Sequence, residues 1–344
     1  MSPPKKRDRD NMTLSVIIPV YNGAKTICRC AAAVVNAHPF EIIVVDDGST
    51  DDTPRLVKSS PVALLTTAGP GGPAQARNAG AAQAKGDVLV FVDADVEVHE
   101  GSLARIANLF LTNPDLHAVF GSYDDEPEYR SAVSLYKNLL HHYVHQQGQG
   151  HASTFWAGLG AVRRTTYLRL GGLDESYRRP SIEDIEFGYR LRESGLRCEL
   201  HREIQGKHLK HWTFVQLIKT DLFDRAVPWT ELILRTGRCA SDLNFGWRHK
   251  ANSLVALAIP PVLSIAGAGP ILFLIPILAA VFIVANFSLL RFLKSRGGLL
   301  FLFCAIPLHL LYGLSCAVGF MAGMTRYTVR VILRKEPIQN GAIP

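Results

Sequence analysis

The residues with the clearest chemical potential are two carboxylates one residue apart, Asp93 and Asp95. They stand directly after the apolar run Val88-Leu89-Val90-Phe91-Val92. Such a run reads as a buried strand, and in an open α/β sheet ligands collect beyond the carboxyl ends of the strands. On an extended backbone alternate residues share a face. Asp93 and Asp95 are therefore expected to point into one cavity, with Ala94 turned away. Carboxylate oxygens that fill only part of a coordination shell, leaving the rest to water and phosphate, suit Mg²⁺ or Mn²⁺. A lone Asp-x-Asp is more often a strand ending in a polar turn, so the elements around it have to decide.

Strand and helix signals alternate ahead of it. Leu14 to Val20 is a β-branched run, and Tyr21-Asn22-Gly23 turns the chain into a helix over Ala24 to Ala37. Glu41 to Val45 is a second buried strand and ends in Asp46-Asp47-Gly48-Ser49. A short helix, a strand over Val62 to Thr66, the loop Ala68-Gly69-Pro70-Gly71-Gly72-Pro73 and an Ala-rich helix over Ala74 to Ala84 lead to the Asp-x-Asp strand. This spacing predicts a doubly wound, mostly parallel α/β sheet. The dinucleotide fingerprint G-x-G-x-x-G is absent after the first strand, which argues against an NAD enzyme. What remains is acidic ends on the second and fourth strands, suited to a ribose or base and to a metal-bound diphosphate.

Four motifs, taken together, carry a resemblance: Val16-Ile17-Ile18-Pro19-Val20-Tyr21-Asn22-Gly23, Val44-Val45-Asp46-Asp47-Gly48-Ser49-Thr50-Asp51, Ala76-Arg77-Asn78-Ala79-Gly80 and Phe91-Val92-Asp93-Ala94-Asp95. Their order and spacing resemble the family 2 glycosyltransferases, among them bacterial enzymes of cell-envelope and lipid-linked glycans. The likeness runs over residues 13 to 210. It implies the GT-A fold, an inverting hexosyl transfer, a UDP- or GDP-sugar donor and a divalent cation. Position by position, it implies that Pro19 and Tyr21 line the base pocket and that Asp47, with Asp46 beside it, contacts base or ribose. Arg77 would lie near the diphosphate, Asp93 beside ribose and metal, and Asp95 would be the direct metal ligand. Read alone, Arg77 is a salt bridge to a helix neighbour. In its implied role, it and the metal would stabilise charge on the departing diphosphate.

The acceptor half follows. The resemblance places Trp156, Gly158 and Glu183 on the acceptor side, and Gly171-Gly172-Leu173-Asp174-Glu175 before Glu183-Asp184 implies that Asp184 is the general base. Read physically, Ser181 caps this helix, and Glu183, Asp184 and Glu186 are first-turn acids favoured by the helix dipole. One carboxylate would take the acceptor hydroxyl proton as that oxygen attacks the anomeric carbon. Lys207-His208-Leu209-Lys210-His211-Trp212 stands where processive members of the family carry Gln-x-x-Arg-Trp. Only the Trp is kept, which argues against polymer synthesis and leaves His211 and Trp212 as acceptor-side candidates. Trp212 could stack on a sugar or rest at a membrane interface. Tyr123-Asp124-Asp125-Glu126 reads as an acidic loop, and His141, His142 and His145 as a polar helix facing the acceptor cleft or membrane rather than a zinc site.

The chain has 344 residues and a net charge of +7, but between Asp242 and Glu336 there is no acidic residue. The basic excess is therefore C-terminal, unlike the basic stripe of a nucleic-acid-binding domain, and no nucleic-acid partner is expected. Six cysteines show no zinc or redox spacing and read as reduced thiols. Residues 1–12 read as a disordered tail without an apolar leader core, and residues 13–212 as the GT-A catalytic domain. Residues 213–250 read as interfacial amphipathic helices broken near Pro228. Residues 251–325 read as a transmembrane region of 2–4 helices, and 326–344 as a basic tail. Ala251 to Leu290 is uncharged over about 40 positions, twice the ~20 needed to cross a bilayer. It is expected to form a hairpin that turns near Gly269-Pro270.

The expectation is thus a multi-pass protein of the plasma (inner) membrane, its catalytic domain cytoplasmic. It would move a sugar from a nucleotide-diphosphate donor to a hydroxyl of a lipid or lipid-linked acceptor. Three alternatives stand beside it. Transfer to a polyprenyl phosphate would draw on Arg163, Arg164, Arg178 and Arg179. The others are a membrane-bound nucleotidyltransferase and an inactive scaffold.

Overall fold

The computed structural model describes residues 12–148, 150–238, 247–264 and 273–334. The tail before Met12, the expected hairpin turn at Gly269-Pro270 and the end of the basic tail lie outside the described residues. The chain divides into two compact units, residues 1–126 with 148–209, and residues 127–147 with 210–344. The segment 127–147, inside the span read as catalytic domain, thus belongs with the C-terminal unit.

The first unit is built on one sheet. Its strands are β1 (Leu14–Val20), β2 (Glu41–Asp46), β3 (Ala63–Thr66), β4 (Val88–Val92), β5 (Val96–Val98), β6 (Leu116–Tyr123), β7 (Gly150–His151), β8 (Leu159–Arg163) and β9 (Arg197–His208). Its helices are α1 (Ile27–Asn36), α2 (Thr53–Lys58), α3 (Pro73–Gln83), α4 (Ser102–Thr112), α6 (Arg164–Arg169) and α7 (Glu183–Glu193); α5 (Ala132–Gln147) lies in the other unit. The strand order is β3-β2-β1-β4-β8-β6-β9-β5, with β7 paired to β9. The ladder from β3 to β4 is parallel, as the alternation of strand and helix predicts. Beyond β4 the sheet is mixed: β8 runs antiparallel to both β4 and β6, while β6 and β9 are parallel.

Side-chain parity divides the core and aims the site. Leu14, Val16, Ile18 and Val20 of β1 and Val88, Val90 and Val92 of β4 share one buried cluster with Ile27, Cys30 and Val34 of α1 and Leu103, Ile106 and Phe110 of α4. The other face holds Ile17 and Phe91. A Cβ on Gly80 of α3 would come within 2.6 Å of Ile17 Cγ2, so only glycine lets α3 lie this close to the sheet. Phe91 meets Tyr167 of α6 at 5.3 Å, and Tyr167 meets Phe187 of α7 at the same distance. Fully burying a side chain such as Phe91 contributes roughly 2–3 kcal/mol. Asp93 follows directly on β4 and bonds Arg77 of α3, which places it on the face that carries α3 and α7.

The second unit is helical. Besides α5 it contains α8 (Phe214–Lys219), a π-helical stretch (Thr220–Ala226), α9 (Val227–Thr236), α10 (Trp247–Ser264) and α11 (Leu274–Arg334). Thr213 and Gln216 form a reciprocal capping box at the start of α8. The chain does not break near Pro228. It stays helical, and the wide π turn just before α9 accommodates a residue that has no N–H to donate. Gly298 interrupts α11 with a φ of 79°. Leu135, Tyr136 and Leu139 of α5 pack with Leu289, Leu293, Phe301 and Ala305 of α11. His142 and His145 are buried within this unit, and His142 stacks on Phe292 at 5.8 Å. His141 is half-buried and lies against His145, their rings 4.1 Å apart.

Among the described residues one stretch, Leu274–Leu333, is long and apolar enough to cross a membrane. It is interrupted at Gly298, and residues 265–272 of the expected two-to-four-span region lie outside the described residues. Val284, Phe287, Leu300 and Phe303 on it are exposed, Leu300 to 84%. The described cysteines are free thiols.

Candidate active site

The loops at the carboxyl ends of β1, β2 and β4 are stitched together by their polar residues. Asn22 Oδ1 accepts from the Thr50 amide at 2.8 Å, and the Asn22 amide donates to Ser49 Oγ at 2.8 Å. Asp46 Oδ1 accepts from the Ser49 amide at 3.2 Å. Asp47 reaches the glycine-rich loop. It accepts from Thr67 Oγ1 at 2.7 Å, from the Gly71 amide at 3.2 Å and from the Gly72 amide at 2.8 Å. Gly71 and Gly72 open α3, where unpaired backbone N–H groups favour an anion. Pro19 is the penultimate residue of β1, and Tyr21 just beyond the strand is 52% exposed.

Asp93 and Asp95 do not continue the strand in extended form. The Val96 amide donates to Asp93 O at 2.9 Å, closing a turn between β4 and β5. A turn rather than strand alternation sets the two side chains, because β5 has to leave β4 and pair with β9. Both side chains remain about one-third exposed, Asp93 31% and Asp95 29%. The register of β5 with β9 sets His208 opposite Val96, and His208 Nε2 lies 3.7 Å from Asp95 Oδ2. The imidazole is held flat by Tyr123, stacked at 4.0 Å with a 10° interplanar angle, and Tyr123 meets Trp156 edge-on at 4.8 Å. The Trp156 indole lies so close over Gly158 that a Cβ there would overlap the ring.

Arg77 is buried, 4% exposed. Nη2 donates to Asp93 Oδ1 at 2.7 Å, and Nη1 donates to Glu183 Oε1 at 2.9 Å. Burial opposes its charge, but the carboxylates of Asp93, Glu183 and Asp184 outweigh that and hold the guanidinium firmly protonated. Its Nε is buried without a hydrogen-bond partner among the described residues. Burial pushes the Asp93 carboxyl above the ordinary carboxylate range and Asp95 adds to this, while Arg77 opposes both.

Glu183 is fully engaged, because its Oε2 accepts from the Ser181 amide at 2.9 Å. Asp184, the next residue in the first turn of α7, accepts from two backbone amides. Its Oδ2 receives the Ala157 N–H at 3.1 Å and its Oδ1 the Ile185 N–H at 2.8 Å. The preceding loop is pinned from α3. Asn78 Oδ1 accepts from the Leu173 amide and from Tyr167 Oη, and Asn78 Nδ2 donates to Leu173 O and Glu175 Oε1. Gly172 has a φ of +73° against Asn78, a left-handed conformation that glycine tolerates. Arg190 donates to Leu170 O and Gly172 O while paired with Glu186, so α7 grips the same loop.

Residues 15–170 match the family described as Glycosyl transferase family 2. These residues are a family 2 glycosyltransferase domain. The sequence is similar to Glycosyltransferase GlyG of Streptococcus pneumoniae, 32% identical over 32% of this chain and 38% of that protein. It is also similar to Glycosyltransferase AglE of Haloferax volcanii, 36% identical over 30% of this chain and 37% of that protein. The chain therefore spans less than two-fifths of the length of these curated relatives. The structure resembles that of the mannosyltransferase PcManGT from Pyrobaculum calidifontis, solved with GDP-Man and Mn²⁺. The TM-score is 0.60 at 20% identity, over 87% of each chain, which gives the GT-A fold.

Within the first unit the structure brings Arg77, Asp93 and Glu183 into direct contact and sets Asp184 beside Glu183. Asp46 and Asp47 lie on the loops at the neighbouring strand ends. His211 and Trp212 belong to the other unit. There Trp212 is 7% exposed, with Lys210 Nζ 4.2 Å from its ring centroid, and His211 meets Tyr129 edge-on at 4.9 Å. Arg163 caps the end of α4, donating to Phe110 O, Asn113 O and Leu116 O. That removes one of the four cations on which a phosphate acceptor would draw. Sequence reasoning did not select Tyr123 and His208 as site residues. The departure from Gln-x-x-Arg-Trp marked His208, but only the β5–β9 register carries it to Asp95.

Proposed function

We propose that this chain is a metal-dependent, inverting glycosyltransferase that moves a sugar from a UDP- or GDP-sugar to a hydroxyl of a lipid or lipid-linked acceptor. The observation that carries this reading is the convergence at one guanidinium of the Asp93–Asp95 turn and the first turn of α7. One side offers a donor-binding acidic turn. The other offers a carboxylate, Asp184, that backbone amides orient while its neighbour Glu183 is engaged.

In this reading residues 13–212 are catalytic. The rim of Pro19, Tyr21, Asp46 and Asp47 receives the nucleoside, and Asp93 stands on the ribose side. The acceptor enters beside Trp156 and Gly158. Asp184 accepts the hydrogen bond of its hydroxyl and takes the proton as that oxygen attacks the anomeric carbon. The sugar–phosphate bond breaks on the opposite face, the nucleoside diphosphate leaves, and the anomeric centre inverts without an enzyme nucleophile. Asp95 and His208 would hold the divalent cation, which supplies a Lewis acid for the departing diphosphate. Among the described residues no group of three His, Cys, Asp or Glu side chains could by itself hold a metal ion. A pair of protein ligands with the donor's oxygens completing the shell fits that. A mixed carboxylate and imidazole set favours Mn²⁺ over Mg²⁺.

Membrane association rests on the Leu274–Leu333 stretch and on the exposed Phe214, Val215 and Phe223 of the preceding helices. The test is a thermal-shift panel of nucleotide sugars with Mn²⁺. One donor should stabilise the protein, and Asp95→Ala should abolish the shift. Absence of a shift with every donor would overturn the reading.

A further inference from the structure

The Arg77 side chain joins two segments that the sequence keeps far apart. Its bonds to Asp93 and Glu183 span 16 and 106 residues. Asp93 belongs to the turn that carries Asp95, and Glu183 immediately precedes Asp184. Both terminal nitrogens are used, and the side chain is 5% exposed. The helix beneath it is held at three levels. Asp47 binds the amides of Gly71 and Gly72 at its start, Asn78 binds the 173–175 loop, and Gly80 lies on Ile17. A planar fork on a fixed helix sets two partners at once, which a lysine ammonium on a flexible stem cannot reproduce.

We infer that Arg77 is a positioning residue that locks the donor-side Asp93–Asp95 turn and the first turn of α7 into one register, so that Asp184 faces the anomeric carbon of a bound donor. This rests on the functional reading above. It differs from the role of a diphosphate ligand, in which the guanidinium would be turned toward the phosphates. The lock also gives roles to residues that take no part in the chemistry. Glu183 supplies the second partner of the guanidinium next to Asp184, and Gly80 and Asn78 anchor the helix that carries Arg77.

The test compares the full-length wild type, Arg77→Lys and Glu183→Gln in detergent, first by hydrogen exchange. Arg77→Lys should accelerate exchange at least tenfold both at the Val96 amide in the 93–96 turn and at the Ser181 and Glu186 amides around the start of α7, with α1 and α4 unchanged. Glu183→Gln should accelerate exchange in the 93–96 turn as well as at its own helix start, and it serves if Arg77→Lys does not fold. Acceleration at one segment alone would overturn the lock.

The second readout is kinetic. Turnover should fall about 100-fold in each single variant and no further in the double variant, with the Kd for nucleoside diphosphate and Mn²⁺ within threefold of wild type. A tenfold or larger rise in that Kd, with α7 exchange unchanged, would make Arg77 a diphosphate ligand and overturn the proposal. Lack of turnover in the wild type would overturn the functional reading instead, and the exchange result would still decide the lock.

Discussion

Replacing Asp184 by Asn separates chemistry from folding in a single atom. The carboxylate accepts from the Ala157 amide at 3.1 Å and the Ile185 amide at 2.8 Å. An asparagine keeps one of these bonds and turns its NH₂ toward the other amide. For a half-buried group the loss of one such bond costs about 1 kcal/mol. In a domain of this size that is a drop of roughly 2–4 °C in Tm. Set against a typical stability of about 5–15 kcal/mol, the folded population is unchanged. Loss of a general base lowers turnover by roughly 10²–10⁴-fold, or about 2.7–5.5 kcal/mol of barrier. The two effects are too different in size to be confused. Asp184→Asn should release nucleoside diphosphate from donor and acceptor at least 100-fold more slowly, with donor affinity and Tm close to wild type. Turnover within tenfold of wild type in a folded variant would refute the assignment. So would a donor Kd that rises in proportion to the lost kcat/KM.

Three further outcomes follow from the geometry. His208→Ala should weaken Mn²⁺ binding, measured by the paramagnetic signal of the free ion, by about tenfold or more; an unchanged affinity would remove His208 from the metal site. Gly80→Ala brings a methyl within 2.6 Å of Ile17 Cγ2 and 3.0 Å of Val45 Cγ2. The crowding costs about 1–3 kcal/mol against a helix-propensity gain of about 1 kcal/mol. The urea midpoint should therefore fall, and a rise would refute the close approach of α3 to the sheet. At Glu199, burial pushes the carboxyl up, but hydrogen bonds from His201 and Arg197 outweigh it and hold the group below its ordinary 4.5. A carboxyl lowered on folding contributes stability above its unfolded pKa and loses it as pH falls through the folded one. Glu199→Gln should therefore be less stable than wild type at pH 7, by about 1 kcal/mol or less. The gap should close below pH 4.5; a gap that widens in acid would contradict the pairing.

The sequence by itself determined the parallel half of the sheet. In β1 to β4 each strand is a mainly apolar run, and each crossover carries its own helix and turn signals, so the information is local. The residues alone singled out the Asp93–Asp95 pair, and the resemblance added Arg77 and Asp184 as candidates; the structure brings Arg77 onto Asp93 and Glu183 and sets Asp184 next to Glu183. Three things lay beyond the sequence. β8, distant in sequence, inserts between β4 and β6, and nothing local in Leu159–Arg163 names its neighbours. The Asp93–Asp95 pair sits in a turn because β5 departs to pair with β9, a choice made by partners more than 100 positions later. The partners of Arg77 come from two strand and helix ends that meet only once α3 is pressed onto Ile17 and Val45. Periodicity says which face a side chain takes, but the register of distant strands decides which charges share that face. For this reason Glu183 and Asp184, neighbouring first-turn acids that periodicity alone does not tell apart, differ in the structure: Glu183 is bonded to Arg77 and Asp184 accepts from the Ala157 and Ile185 amides.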